Sequence, residues 1–164
     1  MNFRVGLGFD VHPFAAANSG RPLVLGGVTI DGSVGLDGHS DADAVAHAVA
    51  DAILGVSGLG DLGSLYPSTD AAYRDADSIA LLRDVALRVH ERGWRVGNVD
   101  VVIAAERPKL APHCASMAAN VTAALAACAD TDVFVSVASK RGEGLGFVGR
   151  AEGIAVWATA LLAR

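Results

Sequence analysis

Residues 40–54, SDADAVAHAVADAIL, repeat small apolar side chains at the spacing of one helical face. Alanine, valine and isoleucine recur at intervals of three and four positions from Ala44 to Ile53, which predicts an amphipathic helix. Ser40 is the expected N-cap, two aspartates follow it in the first turn, and Gly55 ends the pattern. Because these side chains are small, the interior is expected to depend on close approach of backbones.

Strands are predicted on both sides of this helix. Residues 3–9 alternate apolar side chains with glycine, and Gly26-Gly27 between two β-branched runs predicts a two-residue hairpin. The same criteria predict strands over 94–105 and 133–138, helices over 78–92 and 112–129, and glycine-rich loops over 58–77 and 142–149. The last apolar run, 153–163, fits either a strand or a helix, and Ile154, Val156 and Trp157 favour a strand. The longer loop is expected to form a lid or a wall of a site. Strands mixed with three helices indicate an α+β fold with a sheet covered by helices on one face.

The amino-acid composition limits the classes of binding partner and the cellular compartment that we expect. Thirteen basic and 18 acidic residues give a net charge of −5, and the absence of a long basic run argues against binding extended nucleic acid. Cys114 and Cys128 make neither a disulfide framework nor a metal cluster, and they are expected near the third helix as small hydrophobic side chains. No signal peptide or membrane span is predicted. We therefore expect one domain over residues 1–164, located in the cytoplasm and not on a membrane.

Acidic and imidazole side chains recur at spacings that suit a metal site. Asp10 and His12 lie two apart on a predicted strand, so both point to one face. Asp43, His47 and Asp51 are spaced by four and form a stripe on the predicted helix. If strand and helix meet, Asp10, His12 and His47 form a set with an open fourth position, as a zinc ion acting on a substrate requires. The plainer alternatives are a surface Asp-x-His pair and solvated helical charges.

Several short segments carry a more specific pattern, in order along nearly the whole chain. They are GFDVHPF (8–14), GHSDADAVAHA (38–48), GDLG (60–63), YPSTD (66–70), NVDVVI (98–103), RPKLAPH (107–113) and LGFVGRAEG (145–153). Together they resemble the 2-C-methyl-D-erythritol 2,4-cyclodiphosphate synthase family. The D-x-H pair and the S-D-A-D-x-x-x-H run are the most specific of these segments.

The resemblance implies both an assembly and a reaction. It implies a homotrimer of ferredoxin-like β/α sandwich subunits, with active sites between neighbouring chains. The enzyme would be a zinc-dependent, cyclising phosphorus–oxygen lyase of the non-mevalonate isoprenoid pathway. It would convert 4-diphosphocytidyl-2-C-methyl-D-erythritol 2-phosphate to 2-C-methyl-D-erythritol 2,4-cyclodiphosphate and release CMP. No nucleophilic side chain is then needed, because the attacking phosphate belongs to the substrate.

The resemblance also implies two metal ions and a nucleotide pocket. Asp10, His12 and His47 would hold zinc beside the substrate. Glu143 would hold a magnesium or manganese ion between the two phosphates of the diphosphate. The residues that would grip the cytidine from the adjacent chain are Ala105, Lys109 and Leu110.

Polar side chains near the helix and the long loop complete the expected site. His39 and Ser40 would donate hydrogen bonds to the attacking phosphate. Asp43 would either orient a zinc-bound histidine or contact the substrate's hydroxyls. Asp61 and Asp70 resemble the diol-facing and lid acids of the family, although the Gly-Asp-x-Gly run around Asp61 is also typical of an ordinary turn.

The chain departs from the family's pattern at Ser139-Lys140-Arg141-Gly142, where small hydroxyl residues are common. Either Lys140 or Arg141 meets the diphosphate by charge, or one of them points to solvent.

A second group of residues resembles the lining of an axial cavity that binds isoprenoid diphosphates. Phe9 and Phe147 would line it, with packing at the trimer interface as the plainer alternative. Arg150 would reach the ligand there, or form a structural ion pair with Glu152.

Two other functions fit the same residues. A set of two histidines and one aspartate also suits a non-haem iron enzyme or a hydrolytic metalloenzyme. A catalytically silent trimer that binds an isoprenoid diphosphate along its axis is the third hypothesis.

Overall fold

A four-stranded sheet and a separate hairpin organise the computed structural model, which describes residues 2–129 and 133–164. The sheet contains β1 (Phe3–Pro13), β4 (Arg95–Ala104), β5 (Phe134–Lys140) and β6 (Gly153–Ala163), and the hairpin contains β2 (Leu23–Leu25) and β3 (Val28–Ile30). The helices are α1 (Ala44–Ser57), α2 (Leu62–Leu65), α3 (Ser78–Glu91), α4 (Cys114–Leu125) and α5 (Gly146–Gly149).

The strand order is β1-β6-β4-β5, with β6 antiparallel to both neighbours and β4 parallel to β5. The predicted α+β class and the helices on one face are confirmed, because α1 packs on β1 and β6, and α4 packs on β5. The predicted ferredoxin-like connectivity is wrong. That arrangement orders its elements β-α-β-β-α-β, whereas here two strand–helix units precede a final pair of strands. β6 has a neighbour on each side in the sheet, and most of its residues are buried.

Two glycines let β1 lie directly against α1. A Cβ atom at Gly8 would stand 1.9 Å from the carbonyl oxygen of Ala48, and one at Gly6 would stand 2.0 Å from that of Ala52. No other residue type fits at that distance, so the expected close approach of backbones is confirmed. This contact sets Asp10 and His12, which follow Gly8 on β1, beside His47 in the first half of α1.

The start and end of α1 differ from the prediction. The helix begins at Ala44, with Asp43 rather than Ser40 as N-cap, and its C-cap is Gly58 at φ 76°, not Gly55. Asp43 accepts hydrogen bonds from two helix amides and also from the amides of Gly26 and Gly27, at 2.8 and 2.7 Å. The β2–β3 turn therefore fixes where α1 begins, which local spacing does not reveal.

The predicted hairpin and loops are largely present. Gly26 and Gly27 have φ of 55° and 68°, as a two-residue turn of this kind requires. The 58–77 segment is less irregular than expected, because it contains α2 and a short 3₁₀ turn at Ala71–Tyr73. Among the described residues neither cysteine forms a disulfide, and Cys114 and Cys128 lie near the two ends of the predicted third helix. None of the helices in the described ranges has the length and apolar character needed to cross a bilayer.

Trp94 is the largest buried side chain, at 2% exposure. The guanidinium carbons of Arg4 and Arg164 lie 4.5 and 4.8 Å from the centre of its ring. Such cation–π contacts add to the apolar burial of the ring. They tie β1 and the residue after β6 to the start of β4.

The face of β1 that points away from the helices is apolar and uncovered. Its outward side chains alternate along the strand and are 43–74% exposed. They are Phe3, Val5, Leu7, Phe9 and Val11. Trp157 on β6 lies on the same face, 41% exposed and with its ring 5.2 Å from that of Phe9. A continuous apolar surface of this kind is typical of a protein interface.

Candidate active site

Asp10, His12 and His47 converge where β1 lies against α1. Asp10 Oδ2 is 3.0 Å from His12 Nε2 and 3.2 Å from His47 Nδ1, and the two imidazole nitrogens are 3.3 Å apart. One possible ligand atom from each residue lies within 4.8 Å of the others. Within the described residues, this is the single group of acidic, histidine or cysteine side chains with that geometry. The structure thus brings together the three side chains singled out in the sequence.

Asp10 and the two histidines of this cluster affect each other's ionisation. Burial alone would raise the pKa of Asp10, but hydrogen bonds and positive charge from His12 and His47 outweigh it and hold that pKa well below its usual range. Burial would lower the pKa of His12, yet its contact with Asp10 raises the pKa above the ordinary value. The cluster therefore favours a carboxylate facing positive charge.

The outer nitrogens of both histidines have oxygen partners. His12 Nδ1 is 2.8 Å from the backbone oxygen of Asp37, and His47 Nε2 is 2.9 Å from Ser78 Oγ. A backbone carbonyl only accepts, so Nδ1 of His12 carries a proton and its Nε2 is left for a ligand role. Zinc-binding histidines are oriented in this way. The donor set fits a cation bound by two imidazoles and one carboxylate, with further positions open to a substrate.

The cluster opens into a cavity of about 380 Å³. His39, Ser40 and part of the 58–77 segment form its walls. Ser40 is 8% exposed, and its Oγ lies 3.2 Å from His47 Nε2. His39 Nε2 bonds the backbone oxygen of Asp70 at 2.9 Å. The long loop therefore does form a wall of the site.

The remaining predicted acids of this region accept hydrogen bonds from nearby backbone amides. Asp61 is the N-cap of α2, where Ser64 donates through its amide and its hydroxyl and lowers the pKa of the Asp61 carboxyl. Asp70 caps the following 3₁₀ turn. Asp51 accepts the amide of Leu62 at 2.7 Å, although burial raises the pKa of its carboxyl. These three carboxylates shape the loop around the cavity.

The prediction that Asp43 orients a metal-binding histidine is wrong. Its side chain is fully buried, and both of its oxygens accept backbone amides. Burial raises the pKa of this carboxyl against the opposing effect of those amides. The side chain is therefore closed off from a substrate as well as from His47.

A second cavity, of about 520 Å³, lies on another part of the chain. Its lining includes the predicted nucleotide residues together with part of the Ser139–Gly142 run. They are Ala105, Lys109, Leu110, Ser139, Lys140 and Arg141. Asp10, His12 and His47 do not line it. Within one chain, the predicted nucleotide residues and the candidate metal ligands thus belong to separate cavities.

Arg141 is engaged by a residue that sequence reasoning missed. Its guanidinium forms an ion pair with Glu106, whose other oxygen accepts the amide of Gly142 at 3.0 Å. Arg141 lowers the pKa of the Glu106 carboxyl. Glu143, two positions on, has an exposed side chain and a φ of 51°. The loop is therefore anchored through Glu106, which engages Arg141 in an ion pair and not the neighbouring Lys140.

The residues predicted near the axis lie at the surface of the chain. Phe9 is 48% exposed and Phe147 is 39% exposed. Arg150 Nε bonds Glu152 at 2.7 Å, so the ion pair anticipated as the plainer alternative is present.

Two further groups in the site were missed. Ser78 contacts His47, and Asp41 contacts Ser78. Tyr66, in the loop wall, donates a hydrogen bond to Asp84 on α3. Ser78 stands at the start of a predicted helix, so its pattern indicated only a helix boundary. A hydroxyl that completes a distant site has no periodic signal in the sequence.

Comparison with known proteins identifies the family. A family model described as the YgbB family matches residues 3–163. The 2-C-methyl-D-erythritol 2,4-cyclodiphosphate synthase of Bordetella pertussis is 54% identical over 162 residues, which cover 99% of this chain and 96% of the relative.

Solved structures agree with this match. The bifunctional IspDF from Campylobacter jejuni superposes with a TM-score of 0.89 at 41% identity, covering 98% of this chain and 42% of that one. The CDP complex of Plasmodium falciparum IspF has a TM-score of 0.80 at 31% identity, covering 98% and 95% of the two chains. Since family, sequence and structure match along nearly the whole length, the chain belongs to the YgbB family of 2-C-methyl-D-erythritol 2,4-cyclodiphosphate synthases.

Proposed function

We propose that this chain converts 4-diphosphocytidyl-2-C-methyl-D-erythritol 2-phosphate to 2-C-methyl-D-erythritol 2,4-cyclodiphosphate with release of CMP, in the non-mevalonate isoprenoid pathway. The observation that carries this proposal is the Asp10–His12–His47 cluster, which lies beside an open cavity in a chain that matches synthases of this name from end to end. Residues 1–164 form one synthase domain in this proposal, and the cytoplasm stays the expected location.

The reaction is an internal displacement at phosphorus. An oxygen of the 2-phosphate forms a bond to the β-phosphorus, and the bond from that phosphorus to the oxygen shared with the α-phosphate breaks. CMP leaves with the bridging oxygen. Because the nucleophile belongs to the substrate, the protein must only hold two anions in line and offset the charge on their oxygens.

Ser40 and His39 are the candidates for holding the attacking phosphate. Both side chains line the cavity beside His47. The first-turn amides of Val45 and Ala46 are already bonded to Asp43, so side chains rather than helix amides serve this phosphate. Asp61 and Asp70 keep the proposed roles of diol-facing and lid acids, and each adjoins a residue of the 58–77 segment that lines the cavity.

Two divalent cations belong to the proposal. Asp10, His12 and His47 would hold zinc, and Glu143 would hold magnesium or manganese. Cations held by these residues would supply positive charge to phosphate oxygens. The paired outer nitrogens of the two histidines support the zinc assignment, because they leave one nitrogen of each ring directed at Asp10.

Lys140 is the better candidate for a charged contact to the diphosphate. Arg141 is already paired with Glu106, whereas Lys140 is exposed in the second cavity beside Lys109. Contact between Arg141 and the substrate would require breaking that ion pair.

The proposed assembly is a homotrimer with each active site shared by two chains. The uncovered apolar face of β1 supports assembly, since burying such a surface is favourable. The separation of the two cavities supports a shared site, with Ala105, Lys109 and Leu110 of one chain holding the cytidine beside the zinc site of the next. CDP is the ligand in the Plasmodium falciparum complex. An isoprenoid diphosphate near Phe147 and Arg150 is a further part of the proposal.

Phosphorus NMR tests the reaction directly. The purified protein is incubated with the cytidine diphosphate substrate and magnesium, and the expected result is the appearance of a cyclic diphosphate together with CMP. Metal analysis of protein purified without added metal should find mainly zinc. Iron together with oxygen consumption would instead favour an oxygenase, and the absence of any product would favour the silent trimer.

A further inference from the structure

A hydroxyl and a carboxylate stand in line behind His47, on the side of the ring that faces away from Asp10. His47 Nε2 lies 2.9 Å from Ser78 Oγ, and Ser78 Oγ donates its own proton to Asp41. Because a hydroxyl has one proton, Ser78 can serve His47 only as an acceptor. The imidazole must then carry a proton on Nε2.

A proton on Nε2 also determines which atom of His47 can bind a cation. In the form that binds a cation, His47 keeps its proton on Nε2 and presents a lone pair on Nδ1, the nitrogen that lies 3.2 Å from Asp10 Oδ2. His12 presents Nε2 to the same oxygen at 3.0 Å. Three electron-rich atoms directed at one another are stable only with a cation or a shared proton between them.

Ser78 and Asp41 are themselves held firmly. Ser78 is 1% exposed and is the first residue of α3. Asp41 accepts its amide at 3.1 Å and also the amide of Asp43 at 3.1 Å. The Ser40 hydroxyl is a longer contact to His47 Nε2, at 3.2 Å. A buried serine and a half-buried aspartate with this many fixed bonds orient the imidazole without costly rearrangement.

We infer that Asp41 and Ser78 are a positioning pair that fixes the protonated nitrogen and the ring orientation of His47, and so set the affinity of the Asp10–His12–His47 site for its cation. This inference rests on the proposed function insofar as that proposal assigns a divalent cation to the site. A carboxylate that acts on a ligand histidine through a hydrogen bond also makes the imidazole a stronger donor. His12 differs, because its outer nitrogen bonds a neutral backbone oxygen.

The test is zinc affinity measured by competition with a chelator, using the full chain without substrate. Ser78→Ala and Asp41→Asn should each weaken zinc binding by about 10–100-fold, the usual loss when such a partner is removed. The double variant should lose little more than either single one, because the two residues act through one bond. Nitrogen NMR of the imidazoles should show the Nε2 proton of His47 in wild type and a mixture of tautomers in Ser78→Ala.

The control is Asp77→Ala, which removes the N-cap of the same helix. Asp77 accepts the amides of Ile79 and Ala80, so its loss lowers thermal stability and should leave zinc affinity unchanged. Wild-type affinity in Ser78→Ala, or an equal loss in Asp77→Ala, overturns the inference. If Ser78→Ala does not fold, Asp41→Asn decides by the same criterion.

Zinc binding and product formation by the wild-type protein separate this inference from the proposed reaction. A wild-type protein that binds zinc but forms no cyclic diphosphate overturns the proposed reaction and leaves the affinity comparison decisive. A wild-type protein that binds no divalent cation overturns both.

Discussion

Tyr66 connects the wall of the site to α3. Its hydroxyl donates to Asp84, and its ring meets that of Tyr73 edge to face at 5.2 Å. Burial and the neighbouring Asp84 carboxylate raise the pKa of Tyr66 to about 12. The folded chain therefore holds the phenolic proton more tightly than the unfolded chain does. The hydrogen bond between Tyr66 and Asp84 thus stabilises the folded chain at neutral pH.

Tyr66→Phe should lower the free energy of unfolding by about 1 kcal/mol at neutral pH, the usual worth of such a hydrogen bond. The raised pKa sets the pH dependence: the difference from wild type is constant from neutral pH to about pH 10 and shrinks as the pH rises toward about 12. Urea unfolding at several pH values measures it. Tyr73→Phe, which removes the other tyrosine hydroxyl of this loop, is the control. A difference that grows with pH would contradict the assignment.

At the scale of single residues, sequence reasoning found the ligands but not what supports them. Asp10, His12 and His47 follow from two simple periods, and the structure brings them together. Asp43 lies on the same helical stripe, but its carboxylate accepts the backbone amide of Gly26 in the β2–β3 turn. Ser78 reaches His47 across 31 positions. Contacts of that kind depend on tertiary packing, which periodicity does not encode.

The contact between β1 and α1 is the element-scale feature on which the site depends. Gly8→Ala should destabilise the protein by about 1–3 kcal/mol, because the new methyl group must displace the helix backbone. Since Asp10 lies two positions beyond Gly8, the same variant should also weaken zinc binding. Thermal unfolding and chelator competition measure the two effects.

Gly55→Ala is the matched control on the same helix. Gly55 lies within α1, and a Cβ there meets nothing within 4 Å. The substitution should stabilise the chain by about 0.5–1 kcal/mol, because alanine loses less freedom than glycine in a helix. Similar destabilisation by both variants would show that the helix tolerates no added methyl group, rather than that β1 must lie close.

Most elements could be predicted from the sequence, and their boundaries could not. Apolar alternation indicated β1 and β4, strands were also predicted at β5 and, in preference to a helix, at β6, and helical spacing indicated α1, α3 and α4. The start of α1 shifted because its cap bonds a hairpin that precedes it in sequence. The order of strands could not be predicted either. β6 pairs with both β1 and β4, and the pairing of strands distant in sequence depends on the packing of the whole core.

At the scale of the whole molecule, the uncovered face of β1 predicts how subunits associate. Leu7 is 68% exposed there, and Leu7→Glu would place a charge in the proposed interface. We expect this variant to sediment as a monomer while wild type sediments as a trimer. Leu87→Glu, on α3 and 49% exposed, should remain trimeric. A trimeric Leu7→Glu variant would place the interface elsewhere.

Subunit mixing tests whether two chains share each site. Chains that carry His47→Ala and chains that carry Lys109→Ala should each be inactive, because every site lacks either the zinc site or the nucleotide pocket. Mixed trimers should regain activity where an intact His47 meets an intact Lys109 of the neighbour. Turnover measured after joint refolding checks this. Inactivity of every mixture would indicate that each chain builds its own complete site.

The two tryptophans occupy opposite environments, and this gives the protein two built-in optical reporters. Trp94 is buried with two guanidinium groups against its ring, whereas Trp157 is partly exposed beside Phe9. Association through the apolar face would shift the fluorescence of Trp157 to shorter wavelength and leave that of Trp94 unchanged. Trp94 would respond only when the core itself opens. Emission spectra recorded on dilution and in denaturant should therefore separate dissociation from unfolding without any added label.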